Sequence, residues 1–407
     1  MKETLIVKDF GPIKDVELDL RKTTVFIGPQ GSGKSTLAKL IAIFRDWDFL
    51  KQFNLLDEKK ESLAHVSFFQ RYNIHNYFQF DTKTVNKKTD FYHSSKNGVV
   101  KFSNDSFTVS LIDEFKDTIQ VNLDNLQKLM SKLKKFNDSL PSNLLDEIGA
   151  ISNELNNFKG NLPLYIPTER FLIPIISPSL LSFANNNISL PKYLTGFGTY
   201  FEYARLYIPY IKIDYLGLAY KYENNLDKIV LENNQTINLS ESASGFQALI
   251  PLHLVIAYYA TSNKENYDYS FIIEEPELNL YPTTQKDLIY YLSDKCTKGE
   301  NDLVITTHSP YTLSSFNNLL FAYQTAQKHP EQREAIKAII PEESWMNPDD
   351  FAAYYIDSDG TTRSIFNRKT GLIAENELDD ISEIMAEEFD ELMEIYRSPR
   401  NESTTAH

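Results

Sequence analysis

TTVFIGPQGSGKSTLAKLIAIFR, residues 23–45, decides how the rest of the chain is read. Thr23–Ile27 is a short apolar run of the kind that forms a buried strand. Leu37, Leu40, Ile41 and Ile43 recur at helical spacing, which predicts a helix over Ser35–Arg45. Between them, Gly28, Pro29, Gln30, Gly31, Ser32, Gly33, Lys34 and Ser35 match GxxxxGK[ST]. A strand before this pattern and a helix after it are the context that makes it a phosphate cradle. Glycines let backbone N–H groups turn inward, and the helix N-terminus adds partial positive charge. Lys34 is expected to reach the β- and γ-phosphates and Ser35 to ligate Mg²⁺, with Thr36 closing the Gly28–Thr36 run.

Three later segments carry further candidates. Phe271-Ile-Ile-Glu274-Glu275-Pro276-Glu277 is an apolar strand ending in adjacent carboxylates. Side chains alternate along a strand, so the two acids need not share one job. Glu274 is expected near the metal and its waters, and Glu275 beside the attacking water. His308 follows the apolar strand Leu303–Thr306, where an imidazole can contact a terminal phosphate. Ser244 and Gly245 open a predicted helix running to about Tyr259, and free N–H groups with a hydroxyl suit a phosphate there. Read alone, the segment favours Ser244 as an ordinary helix cap.

The remaining chain fits one discontinuous domain over 1–407. Leu5–Lys8 and Val16–Leu20 predict a hairpin turning at Gly11–Pro12, and 64–112 reads as an antiparallel β section. Leucines at helical spacing predict an inserted helical hairpin over 115–160. Leu164–Pro167 reads as a strand, and 172–225 as a helical lobe. Two hairpins are expected around Asn233–Gln235 and Asp357–Gly360, the second opening a terminal region, 340–396, that ends in an acidic amphipathic helix over Glu375–Glu394.

Composition bounds the function. The net charge of −15 argues against a chain-wide coating for nucleic acid, which needs clustered Lys and Arg. Lys132, Lys134 and Lys135 leave a local basic groove open, so DNA remains a partner that charge does not indicate. A single cysteine, Cys296, excludes an internal disulfide framework. No apolar run long enough to span a bilayer occurs and the N-terminus lacks a secretory pattern, so a cytoplasmic location without membrane contact is expected.

In order, these segments resemble the ATP-binding-cassette (ABC) type of P-loop ATPase: Walker A, a signature segment, Walker B with a D-loop, then a switch histidine. ASGFQ (243–247) is similar to the family's LSGGQ, although Phe246 replaces its second glycine, so only Ser244 and Gly245 carry over. EEPELNLYP and TTHSPY resemble the heads of structural-maintenance-of-chromosomes (SMC), RecF-like and overcoming-lysogenisation-defect ATPases. DFGPI, YIPTER (165–170) and the ending after Asp380 resemble bacterial AAA-15/21-type ATPases, which occur in phage-defence operons such as Septu, PARIS and retron systems.

The resemblance implies an α/β fold of the ABC head type: a central mixed sheet, an antiparallel β section and an inserted helical subdomain. It implies an ATPase using ATP and Mg²⁺, with Lys34, Glu275 and His308 in catalysis and Ser35 and Glu274 at the metal. By order along the chain, Thr168-Glu169-Arg170 takes the place of the Q-loop, which puts Glu169 at the metal or its water. ABC heads pair head to tail, so Ser244 would serve the nucleotide of a second copy. A TOPRIM nuclease is not expected, because the candidate DxD, Asp357–Asp359, sits with Gly360 in a predicted turn. The implied role is the ATPase subunit of a defence complex controlling a separate effector, a nuclease. A DNA-maintenance head or a scaffold with little turnover are the alternatives.

Overall fold

In the computed structural model of the chain, the described residues are 3–46, 48–50, 67–77, 89–95, 98–103, 106–111, 161–176, 190–261, 268–374 and 377–397. The helical hairpin expected at 115–160 and the cluster Lys132, Lys134 and Lys135 lie outside them, as does part of the lobe expected at 172–225.

The chain opens with a hairpin, β1 (Glu3–Phe10) and β2 (Ile13–Leu20), and continues into β3 (Thr23–Ile27). Asp9 and Gly11 both take left-handed backbone (φ 48° and 56°), which turns the hairpin tightly at Gly11–Pro12. Leu5, Val7, Val16 and Leu18 alternate inward and are buried. β4 (Asp90–Ser95), β5 (Gly98–Ser103) and β6 (Ser106–Leu111) extend this hairpin into a five-stranded antiparallel sheet, ordered β2-β1-β4-β5-β6. The β section expected over 64–112 is therefore present from Asp90 onward, but residues 67–71 are helical.

The central sheet has six strands, ordered β15-β14-β3-β13-β12-β7. Its members are β3, β7 (Asn161–Ile166), β12 (Asp268–Glu274), β13 (Asp302–Thr307), β14 (Phe351–Ile356) and β15 (Thr362–Ser364). All pairings are parallel except β14 with β15. β3, β13 and β14 are buried along their full lengths, which matches their near-continuous apolar character. Parallel strands align their C-terminal ends, so the loops after β3, β12 and β13 emerge at one edge. Those loops carry all three strand-end motifs.

Helix α1 (Lys34–Arg45) crosses behind the sheet against β7, β12 and β13. The lobe contains α2 (Lys192–Tyr207), but it is not helical up to residue 225 as expected. Four short antiparallel strands follow instead: β8 (Tyr210–Ile213), β9 (Leu218–Glu223), β10 (Leu226–Leu231) and β11 (Thr236–Asn238). Tyrosine and β-branched residues at alternate positions favour strands over helix there, and Asn224–Asn225, both left-handed, form a two-residue hairpin turn.

α3 (Ser244–Thr261) is apolar nearly all round and packs between α2, residues 168–172 and α4 (Pro282–Cys296). α5 (Pro310–Lys328) follows β13, with Ser309 accepting from the Tyr311 N–H as its cap. The turn at Asp357–Gly360 is a hairpin turn between β14 and β15, and Asp359 there accepts from the Thr361 N–H and hydroxyl. α6 (Glu377–Arg397) ends the described chain. No helix among the described residues is long and apolar enough to cross a membrane.

A buried ionic cluster joins the two sheets at the end opposite the motifs. The Arg45 guanidinium donates to both carboxylate oxygens of Glu3 at 2.9 Å and to Asp302 Oδ1 at 2.6 Å. His93 Nε2 lies 2.7 Å from Glu3 Oε1. The cationic Arg45 and the hydrogen bond to His93 hold the Glu3 carboxyl far below the usual range, against the opposing effect of its burial.

Candidate nucleotide site

The loop after β3 is built by its glycines. Gly28, Gly31 and Gly33 have φ of 151°, 80° and 108°. A Cβ on Gly28 would collide with the Ile356 carbonyl of β14, and one on Gly33 with the Ile13 side chain. The β1–β2 hairpin and β14 thus hold the loop from both sides. Pro29, Gln30 and Gly31 form its exposed tip, while Ser32, Gly33 and Lys34 are buried at its base.

Lys34 Nζ donates to the carbonyls of Gly28 and Pro29, both at 2.8 Å. Burial lowers its pKa to about 8, opposed by the negative charges of Glu275, Glu277 and Glu274. Ser32 Oγ is buried without a hydrogen-bond partner among the described residues. A buried hydroxyl lacking a partner and an ammonium held only by its own loop fit an anionic ligand in the cradle. Among the described residues no group of three or more acidic or His/Cys side chains could cage a metal. Ser35 and Glu274 still offer hard oxygen donors, and Mg²⁺ commonly takes one or two protein oxygens plus phosphates.

Glu274 ends β12 as a buried carboxylate, 3% exposed. The Tyr165 hydroxyl donates to its Oε1 at 2.7 Å and the Thr168 hydroxyl to its Oε2 at 3.1 Å. The neighbouring Glu275 leaves the strand in a left-handed conformation, φ 41°, which is uncommon for a side chain of this size. Its N–H donates to the Thr306 carbonyl at 2.9 Å. The turn separates the two carboxylates: Glu275 Oε1 sits 3.4 Å from His308 Nε2. The hydrogen bond to His308 lowers the Glu275 pKa, so the carboxylate is ionised at neutral pH.

In the YIPTER segment, Glu169 Oε1 accepts from the Tyr193 hydroxyl at 2.8 Å. The contacts to Glu274 come instead from Tyr165 and Thr168 on either side of Pro167. Arg170 is fully buried. Its guanidinium donates to the carbonyls of Glu274 and Glu275 at 2.7 Å, Pro167 at 3.0 Å and Ala248 at 3.1 Å. Burial lowers its pKa to about 10, so it stays cationic. The signal for these residues was present as polar side chains immediately after an apolar strand, but their partners lie far away along the chain.

Glu277 was also unassigned. Its Oε1 accepts from the Thr307 hydroxyl at 2.6 Å and from the His308 N–H at 2.8 Å. It thereby ties the loop after β12 to the loop after β13. Gln285 bridges the same two loops, donating to the Leu280 carbonyl at 2.9 Å and accepting from Ser309 Oγ at 2.6 Å.

Ser244 and Gly245 stand apart from the cradle. Ser244 is exposed at the start of α3, and no hydrogen bond to the Gly28–Thr36 loop is found for it among the described residues. Gln247 secures the preceding turn by donating to the carbonyls of Ser240 at 3.0 Å and Ser242 at 2.9 Å. A Cβ on Gly245 would stand 2.7 Å from the Asn279 carbonyl. The helix start therefore presses on the loop that follows Glu275, and only glycine admits that approach.

Solved structures of similar architecture include the following three. The SMC head domain from Thermotoga maritima has a TM-score of 0.36 at 12% identity, covering 77% of this chain and 91% of that one. The Smc head domain with an extended coiled coil bound to the C-terminal domain of ScpA, from Pyrococcus furiosus, has a TM-score of 0.36 at 12% identity, with 95% and 98% covered. The recombination mediator protein RecF with ATPγS has a TM-score of 0.30 at 11% identity, with 90% and 98% covered. No curated protein sequence matches the chain. The family model described as AAA ATPase domain matches residues 1–143 and 103–313, most of the chain, and these spans include Gly28–Thr36, Glu274, Glu275 and His308. The chain belongs to this AAA ATPase domain family, and its enzymatic activity is the binding and hydrolysis of ATP.

Proposed function

We propose that the chain is an ATP-driven assembly switch that pairs head to tail with a second copy. The observation that carries this reading is the separation of Ser244 from the cradle in its own chain: an exposed serine at a helix start, with no hydrogen bond to the Gly28–Thr36 loop among the described residues. In a head-to-tail pair, Ser244 and Gly245 of one copy face the phosphates held by the other's Gly28–Thr36 loop. Lys34 and the loop N–H groups hold the phosphates. Glu275, ionised and beside His308, orients the attacking water and draws its proton. Ser35 and Glu274 would hold Mg²⁺, with Glu169 near the metal's waters; when bound, the ion offsets charge on the β- and γ-phosphates.

The assembly acts on another macromolecule. A DNA-maintenance role of the SMC or RecF kind is the reading closer to the comparisons. Control of a separate effector in phage defence is the second reading, favoured by the apolar side chains that α6 exposes, Phe389 and Leu392 among them. Salt-sensitive, ATP-stimulated DNA binding supports the first, and a stoichiometric protein partner without DNA binding supports the second.

Mixing two inactive variants tests the composite site. Lys34→Ala removes the cradle cation, and Ser244→Arg blocks the helix start. Mixed pairs hold one intact site, so turnover should return to roughly a quarter of the wild-type level. A site complete within one chain shows no such recovery, which would defeat the proposal.

A further inference from the structure

We infer that Arg170 is a positioning residue: it fixes the peptide that carries Glu275 and locks it to the helix that begins at Ser244. The inference rests on the composite-site reading above.

Two of its nitrogens grip consecutive carbonyls, Glu274 at 2.7 Å through Nη1 and Glu275 at 2.7 Å through Nη2. Consecutive carbonyls on a regular strand point in opposite directions, so one planar group cannot hold both. The left-handed turn at Glu275, φ 41°, brings them to the same side. Such a conformation is held only where its surroundings over-determine it. Here the Glu275 N–H is bound to the Thr306 carbonyl and its C=O to Arg170. The carboxylate then has one course, toward His308.

The third and fourth contacts give the brace a second end. Nε donates to the Ala248 carbonyl in the first turns of α3, and Nη1 also donates to Pro167. Gly245, three residues before Ala248, packs on the Asn279 carbonyl in the loop after Glu275. One buried cation and one glycine contact therefore tie the start of α3 to the hydrolytic edge. When a second copy's nucleotide engages Ser244, any shift of α3 passes through Arg170 to the Glu275 peptide. Lys34 and the Gly28–Thr36 loop make no contact with Arg170 among the described hydrogen bonds, so nucleotide binding and Glu275 placement separate.

The test uses full-length Arg170→Lys and Arg170→Gln beside wild type and Glu275→Gln. Lysine keeps the charge but cannot bind four carbonyls with planar geometry. Fluorescent ATP binding, thermal unfolding, and kcat and KM would be measured for each. The expected result is ATP affinity within about threefold of wild type and kcat, counted per bound nucleotide, lowered roughly 10- to 100-fold, because misplacing a reacting group by about 1 Å costs on that order. Lysine should fall between wild type and glutamine, and any sigmoidal dependence on ATP should flatten in both. A purely structural role lowers binding and turnover together with the folded fraction, leaving kcat per bound nucleotide unchanged, and that outcome overturns the inference. If Glu275→Gln retains wild-type turnover, the site reading fails first and takes this inference with it.

Discussion

Glu275 Oε1 and His308 Nε2 lie 3.4 Å apart, across the loops that follow two neighbouring parallel strands. Glu277 holds that separation, because its carboxylate, in the loop after β12 that also carries Glu275, accepts from the His308 N–H. In the proposed mechanism this pair positions the attacking water.

Glu275→Gln should retain ATP binding and lose turnover by about 100-fold or more, the usual loss when a positioned base is removed. Phosphate release and light scattering on the same sample check this. The variant should also accumulate as an ATP-dependent pair. Turnover near wild type would remove Glu275 from the mechanism.

ATP affinity should depend on the protonation of Lys34. Burial lowers its pKa to about 8, and the cation is the form that attracts phosphate. Affinity is therefore full below that pH and weakens as pH rises through it, by up to roughly tenfold per unit until bound phosphate holds the proton. A titration of dissociation constant from pH 7 to 9.5 reads the effect. Lys34→Arg, if it binds, should show no such decline because arginine stays charged.

Glu3→Gln should destabilise the fold by about 3–5 kcal/mol, since it leaves the buried Arg45 charge partly unmatched. Denaturant unfolding measures it, and the ATP dissociation constant should not move. In the wild type, the folded pKa of Glu3 lies below its unfolded value near 4.5. Its stabilisation is thus present above that value and is lost as pH falls toward the folded pKa.

Gly245→Ala should destabilise the helix start against the Asn279 carbonyl by about 1–3 kcal/mol, the common cost of overpacking. Monomeric ATP binding should persist while ATP-dependent pairing weakens. Equal pairing by Gly245→Ala and wild type would show that this contact has slack.

The local features of the site were legible in the sequence because each depends on a few neighbouring residues. Gly28–Ser35 needs a strand, glycines and a helix in succession, and it forms where expected. Glu274, Glu275 and His308 could be named because each ends an apolar strand, and parallel strands present those ends at one edge. The lobe after residue 172 was less legible. Its tyrosine-rich stretch serves helix or strand alike, and pairing among β8, β9 and β10 decided for strand beyond Tyr207.

Sequence alone located the glycine-rich loop between its strand and helix, the acidic strand end and the class of the fold, since these follow from short-range spacing and side-chain chemistry. Only the tertiary structure decided which groups orient them. Tyr165 and Thr168 reach Glu274 across more than 100 residues, Glu277 reaches the loop of His308, and Arg170 joins four carbonyls from three segments. A carbonyl acceptor has no residue identity, and a left-handed turn at a glutamate has no sequence signature. Such partners become visible only when the packed sheet sets the backbone in place.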